Sequence, residues 1–412
     1  MGKSTGNHWK QLGLLCLGTS FFGNGTLGIT KSVLSVLLQS LGFTGTEIGF
    51  ISGARGFKAV ADIPAGHLSD KIGRKKVAYC GKFLLIIAHW MMGLSHSFWA
   101  FFIARSIHGV GSAFNAGAAT FGAADLLKRS RGLGQGLLEM ANYGSHTIFA
   151  AVAGILALNY GVRAPFFILG IAPLFGFLIV WKYLKEPRDL AREDDDRDNP
   201  HGHAHTEKAD SVSTMKFVGY LLTNPKMLSV FFAGLLTKFA DDGLLTMLLP
   251  LWAKSQGFSL MQVATMATVA HGSFTIFVVF AGWMSDKIGR KVIMVAGTLV
   301  CAGACLMVVA LTKVNTLGVM MTVAVLISLG NALIYPVAPA ATADVVPEHL
   351  RATGMGVYKL VHDAGIFIGP VMMGIGFDRA GVSNSFGVAA MVFLVGTLLL
   401  SFCYVEKSKI QI

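Results

Sequence analysis

Apolar positions along this chain come in long unbroken runs, not in the alternation of a half-buried strand or the one-sided stripe of a surface helix. Runs bounded by Gly, Pro, charge or polar turns predict helices at about 11–40, 46–69, 76–95, 98–123, 133–158 and 164–184, then at about 226–253, 260–282, 291–312, 316–342, 353–377 and 384–404. Crossing the hydrocarbon takes about 20 apolar residues, so the pattern predicts roughly twelve spans in two sets. Between the sets, Lys185 to Lys216 is polar and includes AREDDDRDNPHGHAHTEKADS, too poor in apolar surface to order itself. The expected organisation is a six-helix half at 1–184, a linker at 185–222 and a second half at 223–412.

Composition sets the class. Of 412 residues, 53% are hydrophobic and 14% charged, whereas a soluble domain is roughly 25% charged. An all-α polytopic membrane protein is expected, with little chain left for a soluble catalytic unit and no enzyme activity or cofactor called for. No stretch follows G-x-x-x-x-G-K-[ST], so ATP hydrolysis is not expected. The net charge of +12 suggests nucleic acid until its distribution is read, because the bases fall in alternate loops as membrane orientation requires. Lys71, Arg74, Lys75, Lys76, Lys128, Arg129, Arg131, Lys287, Arg290, Lys291, Arg351, Lys407 and Lys409 share one side, facing little beyond Arg163, Lys254, Lys313 and Arg379 on the other. Expected are a bilayer setting, here a bacterial inner membrane, with both termini cytoplasmic, and no nucleic-acid partner. The opening, with Lys3 and Lys10 before an apolar run, shows no small-residue cleavage site and reads as the first span. Cys16, Cys80, Cys301, Cys305 and Cys403 lie inside apolar runs without metal-ligand spacing, so neither a disulfide framework nor a metal site is expected.

The two halves repeat. GHLSDKIGRKK from Gly66 returns as GWMSDKIGRK from Gly282, about 216 residues on, and Arg131 returns as Arg351 about 220 residues on. QSLGFTGTEIG at 39–49 is answered by KSQGFSLMQVA at 254–264. On these residues the chain resembles the major facilitator superfamily, whose loop signature, approximately G-x-x-x-D-x-x-G-R-[RK], is met by Gly66, Asp70, Gly73, Arg74 and Lys75 and again by Gly282, Asp286, Gly289, Arg290 and Lys291. The superfamily's fourth-span signature, R-x-x-x-G-x-G, is matched by Arg105, Gly109 and Gly111.

The resemblance implies two pseudo-symmetric six-helix halves that alternate access around a midplane site, in a monomer without cofactor. It also implies a gate, with Asp70 facing the start of span eleven near Gly354 and Arg74 reaching Asp125. Pseudo-symmetry puts Asp286 toward the start of span five near Gly134 and Arg290 on Asp344. One departure weighs against simple drug efflux. Span five reads EMANYGSHTIFAAVAG without proline, and a Gly-Pro pattern stands instead in span eleven, DAGIFIGPVMMG.

An ionisable side chain inside a span is costly and is read as functional with a partner to be found. Arg55 and Lys58, three apart, share a helix face, with Arg55 roughly 22 Å along the helix from Asp70. The repeat offsets match Arg55 to His271 and Glu139 to Lys359. Arg55, Lys58, His271, Tyr335 and Lys359 are the substrate-binding candidates, because Arg and Lys clamp carboxylate or phosphate. Glu139, Asp241, Asp242, His362 and Asp363 are the proton-coupling candidates. Local neutralisation competes at two places, Lys238 with Asp242 and Lys58 with Asp62, each four apart. Lys31 fits snorkelling, and Arg105 and His108 a structural or coupling role. His201, His203 and His205 beside Asp194, Asp195 and Asp196 read as solvated linker rather than a metal site. The expected partners are a small-molecule substrate and H+. A carboxylate- or phosphate-bearing metabolite, zwitterionic ones included, is set against proton-coupled efflux of drugs or lipophilic cations and against a transporter-like receptor.

Overall fold

The computed structural model describes residues 2–127, 131–187, 189–190, 211–311, 316–347 and 350–406. The linker histidines His201, His203 and His205 and the aspartates Asp194, Asp195 and Asp196 lie outside the described residues, as does most of the linker itself. Among the described residues every regular element is a helix. Eight helices of the described residues are long and apolar enough to cross a membrane, and the last of these candidate spans, Thr353–Cys403, is long enough for two crossings and breaks at Gly381 (φ 78°). Three further helical stretches, 45–72, 98–126 and 225–255, have spanning length but are diluted by charged or small residues such as Arg55, Lys58, Asp62, Lys238, Asp241 and Asp242.

The chain forms two compact units, Met1–Leu37 with Phe57–Thr206, and Leu38–Gly56 with Glu207–Ile412. The packing boundary therefore does not follow the repeat: the first part of span two belongs to the second unit. Each unit buries its own small core. Leu12, Leu15, Ala123 and Leu138 cluster in the first, and Phe231, Met294, Ile334 and Leu400 in the second. Outward-facing residues are just as apolar, with Ile63, Trp99, Leu158, Phe280, Met391 and Phe402 all more than half exposed. In water such a surface would aggregate; hydrocarbon is the solvent that fits it.

The repeat seen in sequence is also a repeat of local structure. Thr44 caps Gly45–Gly53 and Ser259 caps Leu260–Ile288, each in a reciprocal box with the residue three on, Glu47 or Gln262. In the charged loops, Gly73 (φ 98°) and Gly289 (φ 109°) take a backbone conformation that L side chains rarely adopt. Each loop is held by a carboxylate that the sequence reading passed over. In the first unit, Glu186 accepts from the Arg74 and Lys75 backbone N–H groups at 2.8 and 3.1 Å. In the second, Glu406 accepts from the Arg290 N–H at 2.6 Å. The helix-starting N–H groups and the positive end of the helix dipole both favour an anion there. A Cβ on Gly73 would lie 2.8 Å from Glu186 Oε2, and one on Gly289 2.7 Å from Glu406 Oε2. Gly73→Ala is expected to lower stability by about 1–3 kcal/mol through this strain and crowding, read as a fall in the thermal unfolding midpoint in detergent, with Gly289→Ala losing a comparable amount.

Candidate functional site

In the second unit, helix packing is closest where glycines let backbones touch. Gly45, Gly49 and Gly53 recur every four residues, the spacing that presents one small-residue face. A Cβ on Gly49 would lie 2.5 Å from the Pro370 carbonyl oxygen and one on Gly53 3.0 Å from that of Phe367. Asp378, at the far end of this contact, accepts from the Gly45 and Thr46 N–H groups at 2.8 and 2.6 Å. The short 3-10 turn Ala54–Gly56 that follows delivers Arg55 into the interior.

There Arg55 Nη2 donates to both carboxylate oxygens of Asp242 at 2.7 Å, with the two residues only 4% and 2% exposed. Asp242 belongs to a ten-residue π-helix, Phe239–Leu248, that interrupts the helix begun by Pro225–Lys238. π turns are rare and collect at functional sites. Here the wider winding corrects one sequence expectation: Asp242 pairs with Arg55 of a distant helix, whereas Lys238, four residues before it, places its ammonium 5.3 Å from the centre of the Tyr335 ring. Asp241, the adjacent residue, approaches His271 instead, Oδ1 to Nδ1 at 3.9 Å. On the Arg351–Cys403 helix, His362 Nδ1 and Asp363 Oδ1 are 2.7 Å apart. Tyr335 links these groups, its ring in edge contact with Phe274 at 5.5 Å and His362 at 5.8 Å. The result is a buried, mixed-charge cluster with aromatic walls.

Of the remaining candidates, Lys58 does not share the surroundings of Arg55. It lies on Phe57–Ile72, in the first unit, and pairs with Asp62 at 2.8 Å. Lys359 is exposed while Tyr358, His362 and Asp363 around it are buried, and Glu139 is half-buried on Arg131–Tyr160. At the charged loops, Arg74 Nε donates to Asp125 at 3.0 Å and Arg74 Nη1 to Asp70 at 2.6 Å. The second unit repeats this, with Arg290 Nε on Asp344 at 3.1 Å and Nη1 on Asp286 at 2.7 Å. Gly66 and Gly282 lie within the helices that lead into these loops. Gly109 and Gly111 are buried on Phe98–Leu126, where Arg105 donates to Thr30 Oγ1 at 3.1 Å.

Several buried polar residues of the first unit, Lys82, His89, Asn115 and His146 among them, belong to no sequence motif. Their one signal was a polar residue standing alone in an apolar run. Glu186 and Glu406 had a stronger one: they recur at the same offset as Arg131 and Arg351.

A duplicated helical chain with an apolar exterior and ion pairs buried in its interior defines a polytopic membrane transporter. The chain belongs to the Major Facilitator Superfamily, whose sequence pattern matches residues 13–277 and 262–411. It is 25% identical over 385 residues to an uncharacterized MFS-type transporter of Methanocaldococcus jannaschii, covering 92% of this chain and 95% of the other. It is likewise 25% identical over 444 residues to the probable galactarate/D-glucarate transporter GarP of Escherichia coli, covering 98% and 95%. Among solved structures, that of a D-xylose-proton symporter shares the fold at a TM-score of 0.76 with 17% identity, covering 97% of this chain and 99% of that one.

Proposed function

We propose that this protein is a proton-coupled secondary transporter that carries a small carboxylate- or phosphate-bearing metabolite, zwitterions included, by alternating access. The observation that carries the reading is the buried Arg55–Asp242 pair. Arg55 presents the planar donor fork that suits carboxylate and phosphate, but Asp242 occupies it. A proton on Asp242 removes the counter-charge, and the substrate anion then takes the vacated place. Neither event is favourable alone, since an unpartnered charge in a buried site is costly, so proton and anion move together. Asp241 with His271 and Asp363 with His362 supply further proton-accepting groups beside this exchange. Galactarate and D-glucarate, named for one relative, are dicarboxylates.

The charged loops act in this reading as cytoplasmic latches, with both termini on that side. Arg74 on Asp125 and Arg290 on Asp344 form the part held within each unit. Asp70 toward span eleven and Asp286 toward span five form the part that opens, which cysteine pairs placed across each gap would trap in one state.

A second reading rests on the excess of acid in the cluster. Three buried carboxylates, Asp241, Asp242 and Asp363, with Phe274 and Tyr335 beside them, also suit exchange of a lipophilic cation against protons. Proteoliposomes separate the two. Carboxylates, zwitterionic amino acids and sugar phosphates are offered with and without an inward-directed proton gradient, and lipophilic cations with the gradient reversed. Gradient-dependent accumulation of an anion, lost in Asp242→Asn, is the expected result. Accumulation of cations alone would replace the first reading with the second.

A further inference from the structure

Lys82 stands in the middle of the Arg74–Leu94 helix and is fully enclosed, at 0% exposure. Its ammonium donates to Asn115 Oδ1 at 2.9 Å. Asn115 is itself committed, its amide nitrogen donating to the Thr19 carbonyl at 2.8 Å and to Asn24 Oδ1 at 3.1 Å. The Asn24 backbone carbonyl in turn accepts from His146 Nε2 at 3.2 Å. The other flank is closed by Gly176, where a Cβ would lie 3.2 Å from Lys82 Cε. Gly176 thus packs directly against the lysine side chain.

Among the described residues no carboxylate forms an ion pair with Lys82, whose hydrogen bond goes to the neutral Asn115. Phe98–Leu126 faces it with Asn115, and carries Arg105, bonded to Thr30, and His108 further along. Cys16–Phe21 brings Thr19 and the Cys16 thiol, and Ala172–Tyr183 brings Gly176, with Lys182 in its last turn. Phe57–Ile72 carries Lys58 paired with Asp62 and, toward its end, His67, Lys71 and Asp70, the last paired with Arg74. On its own helix, His89 is bonded to the Leu85 and Thr26 carbonyls. An ammonium carries three donors, and here Lys82 has one neutral acceptor and no ion-pair partner among the described residues, whereas burying a charge without a partner is costly.

We propose that Lys82 is a proton-exchanging site of the first unit, separate from the aspartates of the second. When water reaches it, the amine takes a proton from hydronium and leaves water; when the helices enclose it, the ammonium returns that proton to water and remains as a neutral amine hydrogen-bonded to Asn115. The inference needs no particular substrate, so its test is independent of transport.

The test is thermal unfolding of the full chain in detergent from about pH 6 to about pH 9, for wild type, Lys82→Met and Asn115→Asp. An unfolded chain holds a proton on this lysine throughout that window, its ordinary pKa being about 10.4. If the enclosed amine holds none, stability rises with pH. The unfolding midpoint of wild type minus that of Lys82→Met is then expected to climb by about 4 °C across the window. Asn115→Asp supplies the missing counter-charge and is expected to abolish the climb. Should Lys82→Met not fold, Lys82→Gln, which keeps a donor for Asn115, takes its place in the same subtraction. A flat difference means that Lys82 keeps one charge state and overturns the proposal, as does an undiminished climb in Asn115→Asp.

Discussion

Arg55→Ala is expected to abolish gradient-driven accumulation in proteoliposomes and to destabilise the fold by about 3–5 kcal/mol, the cost of breaking a buried ion pair from one side. The carboxylate of Asp242, 2% exposed, is left behind without the guanidinium that donates to both its oxygens. Stability and transport separate in a second variant. Replacing both residues, Arg55→Met with Asp242→Leu, removes the stranded charge, and exchange of a buried pair for apolar side chains is often neutral or stabilising. That variant should unfold near the wild-type temperature and still fail to transport. Arg55→Lys keeps the charge but loses the planar fork, so it should fold and carry substrate poorly. Wild-type uptake by the doubly apolar variant would show that the pair is structural and that the cargo binds elsewhere.

Gly374→Val is expected to be at least as damaging, by a route that touches no charge. A Cβ at Gly374 would overlap the Gly45 carbonyl, where backbone meets backbone and no side chain can move aside. Overpacking typically costs about 1–3 kcal/mol, and a rigid contact places this substitution at about 3 kcal/mol or beyond. The loss should reach the site as well, because the same glycine seam fixes the turn that carries Arg55. Thermal unfolding and uptake should therefore fall together. Gly303→Ala is the control: a Cβ there meets open space, and the change should stay within about 0.5 kcal/mol. If Gly374→Val unfolds like Gly303→Ala, the seam does not hold the site.

Much of this molecule was readable from its residues alone. Long apolar runs announce membrane helices because hydrocarbon permits few alternatives, and two copies of one charged loop announce duplication. Arg74 with Asp125 and Arg290 with Asp344 were named as pairs through the family resemblance, and both contacts are present. Arg55 and Asp242 were each singled out, yet not as partners. Sequence spacing offers Lys238 as the nearer cation for Asp242, and nothing in the apolar pattern reveals that ten residues wind as a π-helix and turn the carboxylate elsewhere. Lys58, three residues from Arg55, pairs instead with Asp62 on its own helix. Lys82 was hidden by its own surroundings, since one lysine scarcely dents the apolarity of twenty neighbours.

The π-helix Phe239–Leu248 has one more consequence. Its turns close from residue i to i+5, so the stretch holds surplus residues compared with α winding, in which each residue advances the helix by about 100°. Asp241 and Asp242 are consecutive, and they already address different partners, His271 and Arg55. Tightening by one residue would turn the neighbouring carboxylate by about 100° about the helix axis. The span thus resembles a screw thread with slack in it, in which two adjacent acids face two different bases.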